Sequence, residues 1–343
     1  MMRFQALASL RDLNPSEFDR LDASCGPVGC HSRLMQLERD RRWSTEYLCA
    51  HEGSTLLAVV PLYRLKKGPW SDPSYDPATW GLDTHFPSAD ATTVVGGRSG
   101  LLSTLHIASE IVGSRRHIRL IEELLVREPR RSLLLPFLTE SQLRPWKEIL
   151  GSRLKHEPLG ADARFDHPLA GAPPPRKVRK TLNADQRMAE RYGIESAVTT
   201  WSEVRSFAAR LIAKNNQAYG LPDAEQLVDH RIRQWEACEG VSVVVLTAKA
   251  YGEQGMTVGV IWRNWIDLQE MGLTGTPSDL RRTLYAQLLF HLPIRFARTH
   301  GGVRHIRAGL KAEQPKAIRG ANFVPLTGGT FSFSERQDSR GDT

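Results

Sequence analysis

Hydrophobic positions along this chain form short alternating runs and helical stripes, and their order recurs. The first half opens with a helix over "SEFDRL" behind the capping pair Asn14-Pro15, followed by a second over "SRLMQLERD". Two strands, "TEYLCAHE" and "STLLAVVPLYRL", are parted by Glu52-Gly53 and predict a hairpin. Residues 68–92 form a long loop rich in Pro, Trp and Asp, and loops of that length are functional or disordered. Its aromatics argue against disorder. After "ATTVVGG", a helix at "RRHIRLIEELLVRE", a strand at "RSLLLPFL" and a helix at "SQLRPWKEIL" complete this half.

"HPLAGAPPP", residues 167–175, reads as a linker. Beyond it the pattern predicts a basic helix "RKVRKTLNADQRMAERYG", a strand "IESAVTT", and two helices starting near Trp201 and Pro222. Three strands follow at "VSVVVLTAKA", "MTVGVIW" and "WIDLQEMGLT". A long helix, "SDLRRTLYAQLLFHLPIRFARTHG", leads to strand "VRHIRAG" and the charged segment "GLKAEQPKAIRG". Each half thus runs helices, strand pair, helix and strand, with no precise repeat of residues. The economical reading is an α/β protein of two similar mixed-sheet domains, residues 1–170 and 171–333, with a flexible polar tail at 334–343.

Length changes this picture little, because 343 residues suffice for two cores. Cys25, Cys30, Cys49 and Cys238 are too few and too scattered for a disulfide framework, and no second Cys pair supports zinc. No metal is expected. The N-terminus lacks an apolar run long enough for a signal peptide, and no window approaches a membrane span, so a soluble cytoplasmic protein is expected. Charge is more informative. Residues 1–170 carry 22 Lys+Arg against 21 Asp+Glu, whereas residues 171–343 carry 24 against 17, an excess that suits a polyanionic partner. Of the 46 cations 36 are Arg, which a GC-rich genome would also produce, so the bias proves nothing alone.

Three stretches carry a family resemblance: "LLAVVPLYR", "RKVRKTLNADQRMAERYGI" and "LYAQLLFHLPIRFARTHGGVRHIRAGLKAEQPKAIRG". Together, over roughly residues 30–326, they resemble the FemAB-type, GNAT-fold acyltransferases, the branch tied to peptidoglycan biosynthesis or recognition. The resemblance implies two tandem GNAT-like domains and transfer of an aminoacyl group from aminoacyl-tRNA to an amine. Related proteins in antibiotic pathways pass a tRNA-borne amino acid, seryl in one case, to a small amine or hydroxylamine. In the family, the lysine of a Lys-x-x-(Arg/Phe)-Gly turn lies beside the reacting ester. Matched residue by residue, that lysine is Lys316, followed by Arg319 and Gly320.

Aminoacyl-tRNA is already an activated ester, so the protein must position two substrates and stabilise an oxyanion rather than supply a nucleophile. Lys316 and Arg319 are the candidate cations. Lys311, on which the family match does not land, is a weaker candidate that contacts substrate; the bland alternative is a solvated charged connector. Lys316→Ala is expected to slow turnover more than it weakens donor binding, and to leave stability nearly unchanged as an exposed lysine would. Glu270, on a central strand, is a candidate to orient the acceptor amine or take its proton, with a structural salt bridge as the alternative. Arg176, Lys177, Arg179, Lys180 and Arg187 face outward on the basic helix and suit tRNA phosphates, or are simply its solvated face. Trp70, Tyr75 and Trp80 are candidates to shape the acceptor pocket, with Asp72 and Asp76 binding the amine. Asp72-Pro73 and Asp76-Pro77 are also plain turn formers.

"VVGGRSG" lacks the spacing of a P-loop, and the Arg/Gln-x-x-Gly-x-Gly/Ala turn of CoA-binding GNAT enzymes is missing, which weakens an acyl-CoA donor. His-Glu-x-x-His and Gly-x-Ser-x-Gly are absent too, so metalloenzyme and hydrolase chemistries start low. The leading expectation is an aminoacyl-tRNA-dependent aminoacyltransferase, with aminoacyl-tRNA as co-substrate and no resident cofactor. Its acceptor is a small amine, hydroxylamine or peptide, in antibiotic biosynthesis or cell-wall precursor modification. The alternatives are an acyl-CoA-dependent N-acyltransferase and a non-catalytic module binding RNA or a cell-wall precursor.

Overall fold

The computed structural model describes residues 2–21, 25–66, 70, 72–82, 91–129, 131–166, 173–275 and 278–333. The expected tail at 334–343, most of the linker and parts of the aromatic loop lie outside them. The chain divides into two units, one of Met1–Gly160 with the segment from Pro325 onward, the other of Ala161–Val324.

The first unit carries strands β1 (Met2–Leu7), β2 (Trp43–Glu52), β3 (Thr55–Leu65), β4 (Thr92–Val95), β5 (His106–Ile107) and β6 (Ser132–Leu138), with helices α1 (Pro15–Phe18), α2 (His31–Glu38), α3 (Arg115–Arg127) and α4 (Glu140–Leu150). Asn14 caps α1, and Gly53 turns the β2–β3 hairpin at φ 61°, as the capping and turn residues predict. Helix α3 buries His117, Leu120, Ile121 and Leu124, the i, i+3, i+4, i+7 stripe that seats it on the sheet. Strands run β1-β2-β3-β4-β6, antiparallel except for β4 and β6, which α3 joins in parallel.

The second unit is built from β7 (Lys155–Arg164), α5 (Arg176–Arg191), β8 (Glu195–Thr199), α6 (Trp201–Ala218), α7 (Glu225–Glu236), β9 (Val241–Ala250), β10 (Glu253–Trp262) and β11 (Trp265–Leu273). There follow α8 (Asp279–Ala286), α9 (Leu292–His300), β12 (His305–Gly309), α10 (Glu313–Ala317) and β13 (Asn322–Phe331), whose residues from Pro325 onward belong to the first unit. Strands run β12-β11-β10-β9-β8, again antiparallel but for one parallel pair, β11 and β12, joined by the long helix. Alternation along β9 and β10 sorts the core. Val245, Met256 and Val258 pack under α6 and α7, while Val244, Leu246 and Ile261 pack under α8 and α9. Between α8 and α9 the helix widens into a π-turn, Gln287–His291, where the Leu292 N–H bonds the carbonyl of Gln287. Pro293, next along, has no N–H to continue the α-helical ladder.

Five strands escaped the pattern, the four-residue β4 among them. β1 and β5 are short or irregular in burial, β7 reads "KHEPLGADAR", polar with a Pro and a Gly, and β13 carries Pro325 and two glycines. β7 and β13 also correct the expected boundaries. β13 pairs with β6, Thr327 opposite Leu138 and Phe331 opposite Leu133, so residues 325–331 close the first sheet rather than the second. β7 pairs with β12, Arg164 opposite Arg307 and Ala163 opposite Gly309, so the second sheet begins before residue 171. Each of these two strands follows the other unit's last helix in sequence.

Candidate active site

Strand β11 is regular until Gln269. Leu268 faces Gly259 and Glu270 faces Val258, leaving Gln269 as an extra residue without a partner on β10. Such a bulge bends a strand and re-aims its side chains. On its other edge β11 pairs with β12 only through Trp265–His305, Ile266–Ile306 and Asp267–Arg307, after which no pairs continue. A cavity of about 920 Å³ opens where the two strands part. Its lining comes from both helical layers: Asn216 and Tyr219 near the end of α6, Arg281 and Tyr285 of α8, and Leu310 to Arg319 beyond β12.

A buried ion network fixes the last paired positions. Arg307 donates through Nε to Asp162 (2.7 Å) and through Nη1 to Asp267 (3.0 Å), and Arg164 binds the other oxygen of Asp162 at 2.9 Å. Burial opposes the charge on Arg307, yet the two carboxylates outweigh it and raise its pKa; burial also raises that of Asp267. Charged residues at inward positions of "WIDLQ" and "VRHIRAG" were the sequence signal for this network, and it was missed.

Lys316 lines the cavity and is buried, which corrects the expectation of an exposed lysine. Its ammonium donates to the carbonyls of Ala308 (2.8 Å), Gly309 (2.8 Å) and Leu310 (3.1 Å), so all three donors of the charged form are engaged. Burial pulls its pKa down to about 8, with Asp162 pulling the other way. The lysine thereby staples the end of β12 to α10 across a turn in which Lys311 (φ 66°) and Ala312 (φ 51°) are both left-handed. Non-glycine residues held there are strained, and such strain clusters at functional sites. Lys311 is exposed at the cavity edge.

Arg319 also lines the cavity, but its guanidinium is clamped. Nε and Nη2 bind both oxygens of Asp185 on α5 at 2.7 and 2.8 Å, Nη1 reaches the Pro315 carbonyl, and the group lies over the Phe290 ring. Burial works against the Asp185 charge, while hydrogen bonds from His291 and Arg319 outweigh it and lower its pKa. On its far side Arg319 borders a second cavity of about 570 Å³, with Val178 and Leu182 of α5 and Ile294 and Arg298 of α9. Arg176, Lys177, Arg179, Lys180 and Arg187 are exposed on α5.

Glu270 faces the cavity next to the bulge. Arg231 donates to it at 2.9 Å and Asn216 at 3.4 Å, and Arg231 binds Asp223 through two nitrogens. Burial raises the Glu270 pKa despite the arginine. Asn216, Arg231 and Asp223 gave no sequence signal, since they converge only through the α6–α7 packing.

Trp70, Asp72, Tyr75, Asp76 and Trp80 are not among the residues that line this cavity. Asp72 and Asp76 accept from the backbone N–H groups of Ser74 (2.8 Å) and Ala78 (3.0 Å), capping two short 3-10 turns within the first unit. Tyr75 and Trp80 pack edge-on against Phe137, and Trp70 lies against Trp43. Turn formation and packing account for all five side chains. Among the described residues, no cluster of His, Cys, Asp and Glu is arranged to hold a metal ion, and no helix is long and apolar enough to cross a membrane.

By sequence the chain matches neither a known protein family nor a curated protein. By structure it is similar to FemX, at a TM-score of 0.58 and 8% identity over 95% of this chain and 96% of that one. It is also similar to a tandem GNAT protein from the clavulanic acid biosynthesis pathway, at 0.51 and 13% identity over 96% and 98% of the two chains. A third likeness is to the C-terminal domain of a putative lysylphosphatidylglycerol synthetase from Agrobacterium fabrum, at 0.53 and 10% identity over 92% of each. At these identities the likeness is one of fold, and it spans nearly the whole chain: two GNAT-fold units in tandem, each a mixed sheet flanked by helices.

Proposed function

We propose that this chain is an acyltransferase that moves an aminoacyl group from aminoacyl-tRNA to an amine or hydroxylamine of a small molecule or peptide. The observation that carries the reading is the cavity at the parting of β11 and β12, lined from both helical layers, with an ammonium on one wall and a carboxylate on another. Two substrates brought from opposite faces of the sheet can meet there. The acceptor nitrogen attacks the ester carbonyl, a C–N bond forms, and the C–O bond to the ribose breaks. Glu270, made more basic by burial, takes the proton released by the attacking amine, and the departing ribose oxygen is protonated in turn. Lys316 acts on the developing oxyanion through its charge and by fixing the backbone of residues 308–310. The exposed cations of α5 suit the phosphates of the donor.

The structural likeness to FemX supports this donor. The clavulanic acid pathway protein favours a second reading, because that structure is described as lacking AcCoA. The 920 Å³ cavity then receives an acyl-CoA. Incubation with charged tRNA pools and candidate amines, with and without RNase, and in parallel with acyl-CoA esters, separates the two. Product that forms only from intact aminoacyl-tRNA is expected; RNase-insensitive product from an acyl-CoA overturns the first reading in favour of the second.

A further inference from the structure

One polar group at the 920 Å³ cavity has no role in the chemistry above. Thr257, in the middle of β10, lines the cavity and is 1% exposed, and its hydroxyl has no hydrogen-bond partner among the described residues. Buried hydroxyls nearly always have partners, so an unpaired one asks for an explanation. Its surroundings supply none. Its cross-strand neighbours are Met271 on β11 and Leu246 on β9, both apolar. Gly255 and Gly259 share its face of the strand, and a Cβ at Gly255 would come within 2.7 Å of Leu288, so the long helix sits close. The Gln287 side-chain nitrogen in the π-turn also lacks a partner, but Gln287 does not line the cavity.

Three of the charged groups in the lining are already engaged within the protein. Lys316 is held by three carbonyls, Arg281 by the carbonyls of Leu273, Thr274 and Gly275, and Glu270 by Arg231 and Asn216. Met271, its partner on β11, is apolar, and Leu268 and Leu289 add apolar surface to the same lining. We infer that Thr257 is a specificity residue whose hydroxyl pairs with a hydroxyl on the side chain of the aminoacyl group carried into this cavity. The inference rests on the acyl-transfer reading and narrows it to a hydroxylated donor. A pocket that merely fits a side chain discriminates weakly against the analogue lacking one hydroxyl, whereas a buried group left unpaired discriminates strongly.

The test uses adenosine analogues that carry the aminoacyl group through a stable 3′-amide, in pairs differing by one hydroxyl: seryl and alanyl, threonyl and valyl, tyrosyl and phenylalanyl. Calorimetric titration of the full chain is expected to show one hydroxylated member binding at least about tenfold more tightly than its partner. Thr257→Val, nearly isosteric, should erase that preference, and Thr257→Ser should keep it. Without ligand, Thr257→Val should melt no lower than the parent, because it removes an unpaired hydroxyl. A preference that survives Thr257→Val overturns the inference alone. A clear drop in the unliganded melting temperature overturns it too, by revealing a structural partner such as an enclosed water. If the parent binds none of the analogues, the aminoacyl reading itself fails and the inference with it.

Discussion

Burying an ammonium costs several kcal/mol unless its donors find acceptors, and Lys316 finds three. Two consequences follow for its replacement by Met. Turnover should fall about a hundred- to a thousand-fold if its charge stabilises the oxyanion. Stability should also fall, by about 1–3 kcal/mol, because the carbonyls of residues 308–310 lose their common donor. Single-turnover rates and melting curves of the one variant read both; near-normal chemistry in a destabilised protein leaves Lys316 as a staple only. The pH dependence has a distinctive sign. The folded pKa of about 8 lies below the ordinary 10.5, so between those values the unfolded chain holds a proton that the folded one has released. Relative to Lys316→Met, stability therefore rises with pH across that window, while a rate that needs the ammonium falls above pH about 8. Glu270→Gln should slow transfer about 10²- to 10⁴-fold, as loss of a general base does, with Arg231 still held by Asp223. An unchanged rate would make Glu270 simply the partner of Arg231.

Elements with a clear period were legible, and the helix α5 shows how far that reaches. Its bounds follow from apolar Val178, Leu182 and Ala189 on one side and cations on the other. What no periodicity could show is that Asp185, an acid among the cations, is the clamp for Arg319 some 134 positions away. Reversing the charge of Arg176, Lys177, Arg179 and Lys180 together should leave the clamp and the fold intact. Each lost phosphate contact should shallow the dependence of log Kd for tRNA on log salt by about 0.7–0.9. A slope that does not move takes α5 out of donor binding. The strands β7 and β13 were illegible for the opposite reason. Pro, Gly and charge break their alternation, and only neighbouring strands make them part of a sheet. The bulge at Gln269 was hidden likewise, because a bulge is defined by the partner strand.

At the scale of the whole molecule, the tandem architecture was readable from the repeated order of elements. Lys316, Arg319, Glu270 and Lys311 do share one cavity. The aromatic loop was ambiguous in sequence because its Asp-Pro pairs and tryptophans look equally like a pocket and like a packed turn. Deleting the chain from Pro325 onward removes β13, and with it Phe331 from the first unit's core. Hydrogen exchange should then show residues of the first unit losing protection while the α6–α9 region keeps it; equal loss in both, or in neither, contradicts the assignment of β13. The same strand has a consequence during synthesis. A ribosome adding about 5–20 residues per second needs on the order of ten to forty seconds to pass from the end of β6 to β13. Through that interval the nascent first sheet offers β6 as an open edge, the kind of surface that invites wrong pairing. The two units cannot mature one after the other in the order they are translated: the first is finished by a strand made after the second.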